Sequence, residues 1–188
     1  MNNSVSITTG MQGHSRQERE INDFYATDPI AINLLLEQET FNKNILEPAC
    51  GMGHLSKRLS EKGYNVTSYD IINRGFGQQK DFFTVDSFDG DIITNPPFKY
   101  AVPFIQHSLD IIPNGHKVAM FLKLLFLESR SRKQFFQDNP PKTIYVASGR
   151  INCARDGEFE KYPSSAVCFC WFIWEKGYHG DTVLKWIN

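Results

Sequence analysis

The sequence predicts an α/β chain, a doubly wound sheet that is mostly parallel with an antiparallel edge pair. Three observations carry that reading. Ile45–Asp70 runs strand, glycine loop, helix, strand, the order of a βαβ unit. The runs Asp91-Ile92-Ile93-Thr94 and Lys117-Val118-Ala119-Met120-Phe121-Leu122 are nearly continuous in apolar residues, as strands covered on both faces are. Thr143–Ala147 and Ala166–Trp174 then read as two further strands, an antiparallel pair closing the edge.

Composition agrees with one globular domain. A chain of 188 residues falls near the usual domain size of about 100–150 residues. With 41% hydrophobic and 22% charged residues it can bury a core and keep a solvated surface. No apolar run approaches the roughly 20 residues that span a bilayer, and the polar start has no signal-peptide core, so the cytoplasm is the expected compartment. Cys50, Cys153, Cys168 and Cys170 form no Cys-x-x-Cys pair, so no metal site is expected. Cys168 and Cys170 are expected on one face of a strand as reduced core thiols.

In chain order, residues 1–23 are polar and glycine-containing and read as a flexible tail, leaving 24–188 as a single domain. Thr27 or Asp28 can cap a helix with Pro29 in its first turn, followed by the stripe Ile30, Ile32, Leu34, Leu35 and Leu36. The strand Ile45-Leu46-Glu47 runs into Pro48-Ala49-Cys50-Gly51-Met52-Gly53, and a helix follows from His54 to a stop at Gly63. The next strand, Asn65–Tyr69, ends at Asp70. Tyr100–Ile112 reads as a crossover helix, and Ser129–Asp138 as another, stopped by Asn139-Pro140-Pro141. Ser148–Ser165 is a long polar loop. Trp171, Trp174 and Trp186 read as core or edge packing.

Two stretches carry chemistry. Gly51 and Gly53 let the backbone turn sharply beside a ligand, at the start of a helix whose first N–H groups are unpaired. Glu47 precedes them, placed to meet a ligand's ammonium. Asp70 lies about 20 residues after the glycines, the spacing of an acidic residue for ribose hydroxyls. The third glycine of the dinucleotide fingerprint is absent, so a ribose ligand without pyrophosphate fits better. The second stretch is Asn95-Pro96-Pro97-Phe98 at the end of a strand. Neither proline donates an N–H, but both carbonyls accept. An exocyclic amine can therefore donate to Asn95 Oδ1 and to the Pro96 carbonyl while Phe98 stacks on its ring. The same four residues also suit a plain strand end with a packed phenylalanine.

These residues resemble the S-adenosylmethionine-dependent amino-methyltransferases, most closely the small phage-type DNA N6-adenine methyltransferases. Glu47-Pro48-Ala49-Cys50-Gly51-Met52-Gly53 is similar to that family's cofactor loop. Asn95-Pro96-Pro97-Phe98 is similar to its catalytic motif, and Phe24-Tyr25-Ala26-Thr27-Asp28-Pro29 to its aromatic/Thr-Pro cofactor motif. The charged Asp28 before Pro29 is a small departure. The resemblance covers residues 24–175 and implies a Rossmann-like class I methyltransferase sheet. It implies S-adenosylmethionine as cofactor, held by Tyr25, Thr27, Glu47, Pro48, Ala49, Cys50, Gly51, Gly53, Asp70, Ile71, Asp81, Phe82 and Asn95. Catalysis would fall to Asn95, Pro96, Pro97 and Phe98, as direct methyl transfer to the N6 amine of a flipped or unpaired adenine in DNA. A phage or prophage setting and a restriction-modification role belong to the same expectation.

Charge is uneven along the chain. Residues 1–98 hold 8 Lys/Arg against 13 Asp/Glu, whereas 99–155 hold 9 against 3, a block of +6 that begins at the tetrapeptide. Phe98, Lys99, Arg130, Arg132, Arg150 and Arg155 are the substrate-contact candidates, with DNA the expected partner and a homodimer a way to extend a small recognition surface. The same tetrapeptide occurs in enzymes acting on an RNA base or a protein glutamine, usually with an added N-terminal helical domain that a short polar lead does not provide. A non-catalytic nucleic-acid- or cofactor-binding module is the alternative of another class.

Overall fold

The computed structural model describes residues 25–155, 157–160 and 167–188. The expected tail, Phe24, and Lys161 lie outside those residues, as does the side chain of Arg155. Its elements are β1 (Tyr25–Thr27), α1 (Ile30–Leu36), β2 (Asn44–Glu47), α2 (His54–Glu61), β3 (Asn65–Asp70), β4 (Gln78–Gln79), β5 (Asp91–Thr94), α3 (Ala101–Ile111), β6 (Lys117–Lys123), α4 (Lys133–Asp138), β7 (Thr143–Ala147), β8 (Cys153–Arg155), β9 (Phe169–Glu175) and β10 (Val183–Ile187).

Eight strands form one sheet in the order β10-β7-β9-β6-β5-β2-β3-β4. All neighbours pair in parallel except β9, which runs antiparallel to both β6 and β7. The antiparallel pairing expected from the sequence is therefore present, but β9 is inserted inside the sheet. The edge beyond β7 belongs to β10, a strand the sequence reading did not anticipate. Its Trp186 is 69% exposed, whereas Trp171 and Trp174 are buried as expected.

Alternation along the central strands divides the core in two, as a sheet covered on both faces requires. Val118, Met120 and Leu122 of β6 face α3 with its Phe104 and Ile105. Ala119 and Phe121 face the other way, toward Ile32 and Leu35 of α1 and Leu55 and Leu59 of α2. The helix α1 is capped by Asp28, whose Oδ1 accepts from Ile30 N–H at 2.9 Å. Its inner face is Ala31, Ile32 and Leu35, while Ile30 from the expected stripe is exposed.

Three further expectations change. The helix expected over Ser129–Asp138 splits into a 3₁₀ turn at Arg130–Arg132 and the short α4. Ser129 Oγ accepts from Ser131 N–H at 3.2 Å, which caps the start of the turn. The polar loop after β7 contains β8, which pairs antiparallel with β1 as a separate two-stranded sheet. Cys168 precedes β9 and is exposed, so of this pair Cys170 alone is a core thiol. No described helix is long and apolar enough to cross a membrane.

Candidate functional site

The C-terminal ends of β2, β3 and β5 open onto a cavity of about 850 Å³, where open parallel sheets bind ligands. Both sequence motifs meet there. Tyr25, Thr27, Glu47, Pro48, Ala49, Cys50, Asp70, Ile71, Asp81 and Phe82 line it, as do Asn95, Pro96, Pro97, Phe98 and Lys99. Gly51 and Gly53 form the loop behind them.

The loop's shape depends on glycine at one position above all. Gly53 has φ +81°, and a Cβ there would lie 2.4 Å from the Phe76 ring. Phe76 therefore roofs the loop from the segment after β3, with Lys57 Nζ 5.0 Å from its ring centroid. Asp70 holds the loop from below. Its Oδ2 accepts from Gly51 N–H at 2.8 Å and its Oδ1 from Ile72 N–H at 2.9 Å. Each carboxylate oxygen keeps a lone pair for a further donor. Cys50 packs under the same loop, where burial pushes its thiol up to about 12.

Glu47 is buried at the end of β2 and takes the hydroxyl of Ser56, which also bonds Ser68 Oγ at 2.6 Å. Burial, with a smaller contribution from the nearby Asp70 charge, raises its carboxyl to about 8. A cation arriving in the cavity would stabilise the carboxylate and reverse that shift.

Across the cavity, Asp81 Oδ1 accepts from Phe83 N–H at 3.0 Å and starts a 3₁₀ turn, Phe82–Thr84. Phe82 lies at 4.9 Å and Phe83 at 5.3 Å from Phe104, ring centroid to centroid, making an aromatic wall suited to a flat heterocycle.

At the end of β5, Asn95 Nδ2 donates to Thr27 Oγ1 at 2.8 Å and reaches the Tyr25 carbonyl at 3.4 Å. Asn95 Oδ1 is buried and has no hydrogen-bond partner among the described residues. The Pro97 carbonyl is taken by Tyr100 N–H at 2.8 Å, in the turn that leads into α3. The Pro96 carbonyl has no donor among the described residues. One side chain and one backbone oxygen are thus left as acceptors beside an aromatic ring. The ring of Phe98 carries the Lys123 ammonium 4.2 Å from its centroid and lies 6.0 Å from Phe169.

The expected substrate-contact arginines are dispersed. Arg132 donates to the carbonyls of Phe126 (2.8 Å), Glu128 (3.0 Å) and Leu125 (3.4 Å), so it braces its own loop. Arg130 lines a second, shallower cavity with Lys133 and Phe136. Arg150 lines neither cavity. Two lysines of the basic block are ion-paired away from the site, Lys117 with Glu39 (2.5 Å) and Lys142 with Glu175 (2.6 Å).

Sequence reasoning did not assign His54, Arg74, Phe83, Tyr100 and Phe104 to the site, yet all line the cavity. Their only sequence signal is adjacency to the motifs. His54 is half-buried and edge-on to Phe159 at 5.6 Å. Burial, reinforced by Lys57, lowers its pKa.

No family model matches the chain, and no curated protein matches it in sequence. Solved structures do match in fold. A protein assigned to the class I S-adenosylmethionine-dependent methyltransferases, from Listeria monocytogenes, superposes with TM-score 0.56 at 16% identity, covering 84% of this chain and 62% of that one. A modification subunit assigned to a type I restriction enzyme of Vibrio vulnificus gives 0.57 at 15% identity, over 88% and 46%. A protein assigned as an RNA methyltransferase from Pyrococcus horikoshii gives 0.54 at 13%, over 78% and 80%. The chain thus spans less than two thirds of the Listeria protein and under half of the Vibrio subunit. The fold is the Rossmann-like sheet of the class I methyltransferases.

Proposed function

We propose that the chain is an S-adenosylmethionine-dependent methyltransferase acting on the N6 amine of adenine in DNA. The single observation that carries this reading is the buried, unpartnered Asn95 Oδ1 at the cavity, next to the open Pro96 carbonyl. An unsatisfied buried acceptor costs about 1–3 kcal/mol unless a ligand pairs with it.

The cavity fits the cofactor. Glu47 is a buried carboxyl without a cation, suited to an ammonium; Asp70 and Asp81 have acceptor capacity left for hydroxyl and amine donors; Phe82, Phe83 and Phe104 suit an adenine ring. The Gly51–Gly53 loop lets the backbone approach closely. When bound, S-adenosylmethionine supplies an electrophilic methyl group. The protein's part is to hold the accepting nitrogen. Asn95 Oδ1 and the Pro96 carbonyl take one N–H each, which fixes the amine and raises the availability of its lone pair. Phe98 offers its face to the base, and the Lys123 ammonium must swing off the ring as the base arrives. No residue is needed as a covalent nucleophile; the rate comes from alignment and from acceptors placed beforehand.

DNA is favoured as substrate by the cation of Lys99 on the cavity rim. The likeness to a restriction modification subunit, and to a type IIG restriction endonuclease at TM-score 0.51, supports the same reading. The test is transfer of labelled methyl from S-adenosylmethionine to single- and double-stranded DNA, RNA and protein side by side. Label in N6-methyladenine of DNA is the expected outcome. Label confined to RNA or protein overturns the substrate, and none in any acceptor overturns the activity.

A further inference from the structure

We infer that the two-stranded ribbon β1–β8 is a positioning element for the amide of Asn95, with Thr27 as its contact residue. This rests on the reading of Asn95 as the amine's acceptor and explains how that acceptor is aimed. A terminal amide can turn over by half a rotation, exchanging its oxygen and nitrogen at little intrinsic cost. Only one of the two orientations leaves the amide oxygen without a protein partner among the described residues.

One atom of β1 decides between them, and the Thr27 hydroxyl, able to donate or accept, follows it. The Tyr25 carbonyl can only accept, so it must face the NH2 group, which it does at 3.4 Å. Thr27 Oγ1 accepts from the same NH2 at 2.8 Å, and Thr27 is buried at 3% exposure. The reversed amide would set Oδ1 against the Tyr25 carbonyl and aim two N–H donors at the incoming amine. That amine has hydrogens of its own to donate, so the reversed orientation repels it.

The ribbon supplies the rigidity. Ala26 pairs with Ala154 and Thr27 with Cys153, so the position of Thr27 is set by a strand 126 residues away. The Cys153 thiol lies 4.0 Å from Thr27 Oγ1, a weak contact from the partner strand. Ala154 is fully buried beneath the ribbon. Tyr25 and Thr27 also line the cavity, but the Thr27 hydroxyl is engaged with Asn95, which makes Thr27 a positioning residue, distinct from the cofactor role that the sequence motif suggests for it.

The two roles separate in one experiment. Thr27→Val keeps the shape and removes the acceptor; Thr27→Ser keeps the acceptor. Single-turnover methylation with saturating cofactor should fall about tenfold in Thr27→Val, the scale of one misaligned polar group. Thr27→Ser should recover most of the rate. Cofactor affinity by calorimetry should stay within about twofold in both, since the hydrogen bond removed is to Asn95. The side-chain NH2 signals of Asn95 in a ¹⁵N-resolved spectrum should move in Thr27→Val and return in Thr27→Ser. Weakened cofactor binding with an unchanged saturated rate would make Thr27 a cofactor ligand and overturn the inference. A normal rate in Thr27→Val while Asn95→Ala is slow overturns it too, and leaves the function standing. A normal rate in Asn95→Ala overturns the underlying reading instead.

Discussion

The two ends of β5 lie four residues apart and treat a polar side chain in opposite ways. At the start, Asp91 is buried and fully engaged. Its Oδ2 accepts from Asn42 N–H at 2.6 Å, and its Oδ1 from Lys117 N–H at 2.8 Å and from His116 Nδ1 at 3.0 Å. Just past the other end, Asn95 has its NH2 tied to β1 and its oxygen left open. The first end clamps β5 to its neighbours, where nothing has to enter. On the proposed function, the second leaves an oxygen for an incoming group, and stability and chemistry fall to opposite ends of one short strand.

The sharpest way to break the comparison is Asn95→Ala. The fold and cofactor affinity should hold, while single-turnover methylation falls at least about 100-fold, the scale of one positioned polar group at a reacting centre. Asn95→Asp keeps an acceptor oxygen and should retain more activity than Ala. Phe98→Tyr should be mild and Phe98→Ala severe, since stacking on an aromatic face is worth about 1–3 kcal/mol. A wild-type rate in Asn95→Ala would place the amine elsewhere.

Asp91→Ala should show the reverse pattern. It orphans two backbone N–H groups and His116, so the urea midpoint should drop by an amount worth about 2–3 kcal/mol. At a temperature where the variant stays folded, its rate should match wild type. A slowed rate with unchanged stability would mean that the two ends are not separable.

Asp70→Ala, next in size, sharpens the contrast between bracing and binding. Losing the acceptor for Gly51 and Ile72 N–H should loosen the glycine loop and weaken cofactor affinity by about 1–3 kcal/mol. Calorimetry with unchanged affinity in the folded variant would remove Asp70 from the site.

Glu47 predicts a pH dependence. Its folded carboxyl sits at about 8 against an ordinary 4.5, so in the free protein it is mostly protonated at pH 7. Because the folded value is the higher, Glu47 contributes stability that is present at low pH and lost as pH rises from 4.5 through about 8. A cationic ligand needs the ionised form, so cofactor affinity should rise with pH toward about 8, by at most tenfold per unit, and fall again as the ligand's own α-ammonium, with an ordinary pKa of about 8, loses its proton. Glu47→Gln should flatten that rise, as read by calorimetry across the range. A flat profile in the wild type would mean that no ligand cation meets Glu47.

The smallest effect concerns the basic segment. Lys99→Met should reduce the salt dependence of DNA binding by about one unit of slope, the signature of one phosphate contact. Arg132→Met should leave the slope alone and lower the melting temperature, because its guanidinium is committed to loop carbonyls. Equal changes in slope for both would show that Arg132 leaves its loop to reach DNA.

Much of the site was legible because its chemistry is local in sequence. Pro96 and Pro97 must end a strand, Gly53 must sit where φ is positive, and Asp70 must end the strand that follows the loop; each follows from backbone rules within a few residues. The near-continuous apolar runs likewise announced strands covered on both sides. Those inferences needed no knowledge of distant neighbours.

Contacts between distant segments had no such signature. Nothing in Cys153-Ala154-Arg155 marks it as the partner of Tyr25-Ala26-Thr27, because a three-residue strand has too little periodicity to read. The place of β9 between β6 and β7 is decided by pairing across the sheet, and Trp186 stays outside only because β10 takes the edge. The amide of Asn95 shows the division most clearly. Its presence after β5 and its capacity to accept were determined by the sequence, but which of its two atoms is tied to β1 was decided by a threonine and a carbonyl brought there by the tertiary fold. A hydrogen bond reads position and direction, and those exist only once the chain has closed.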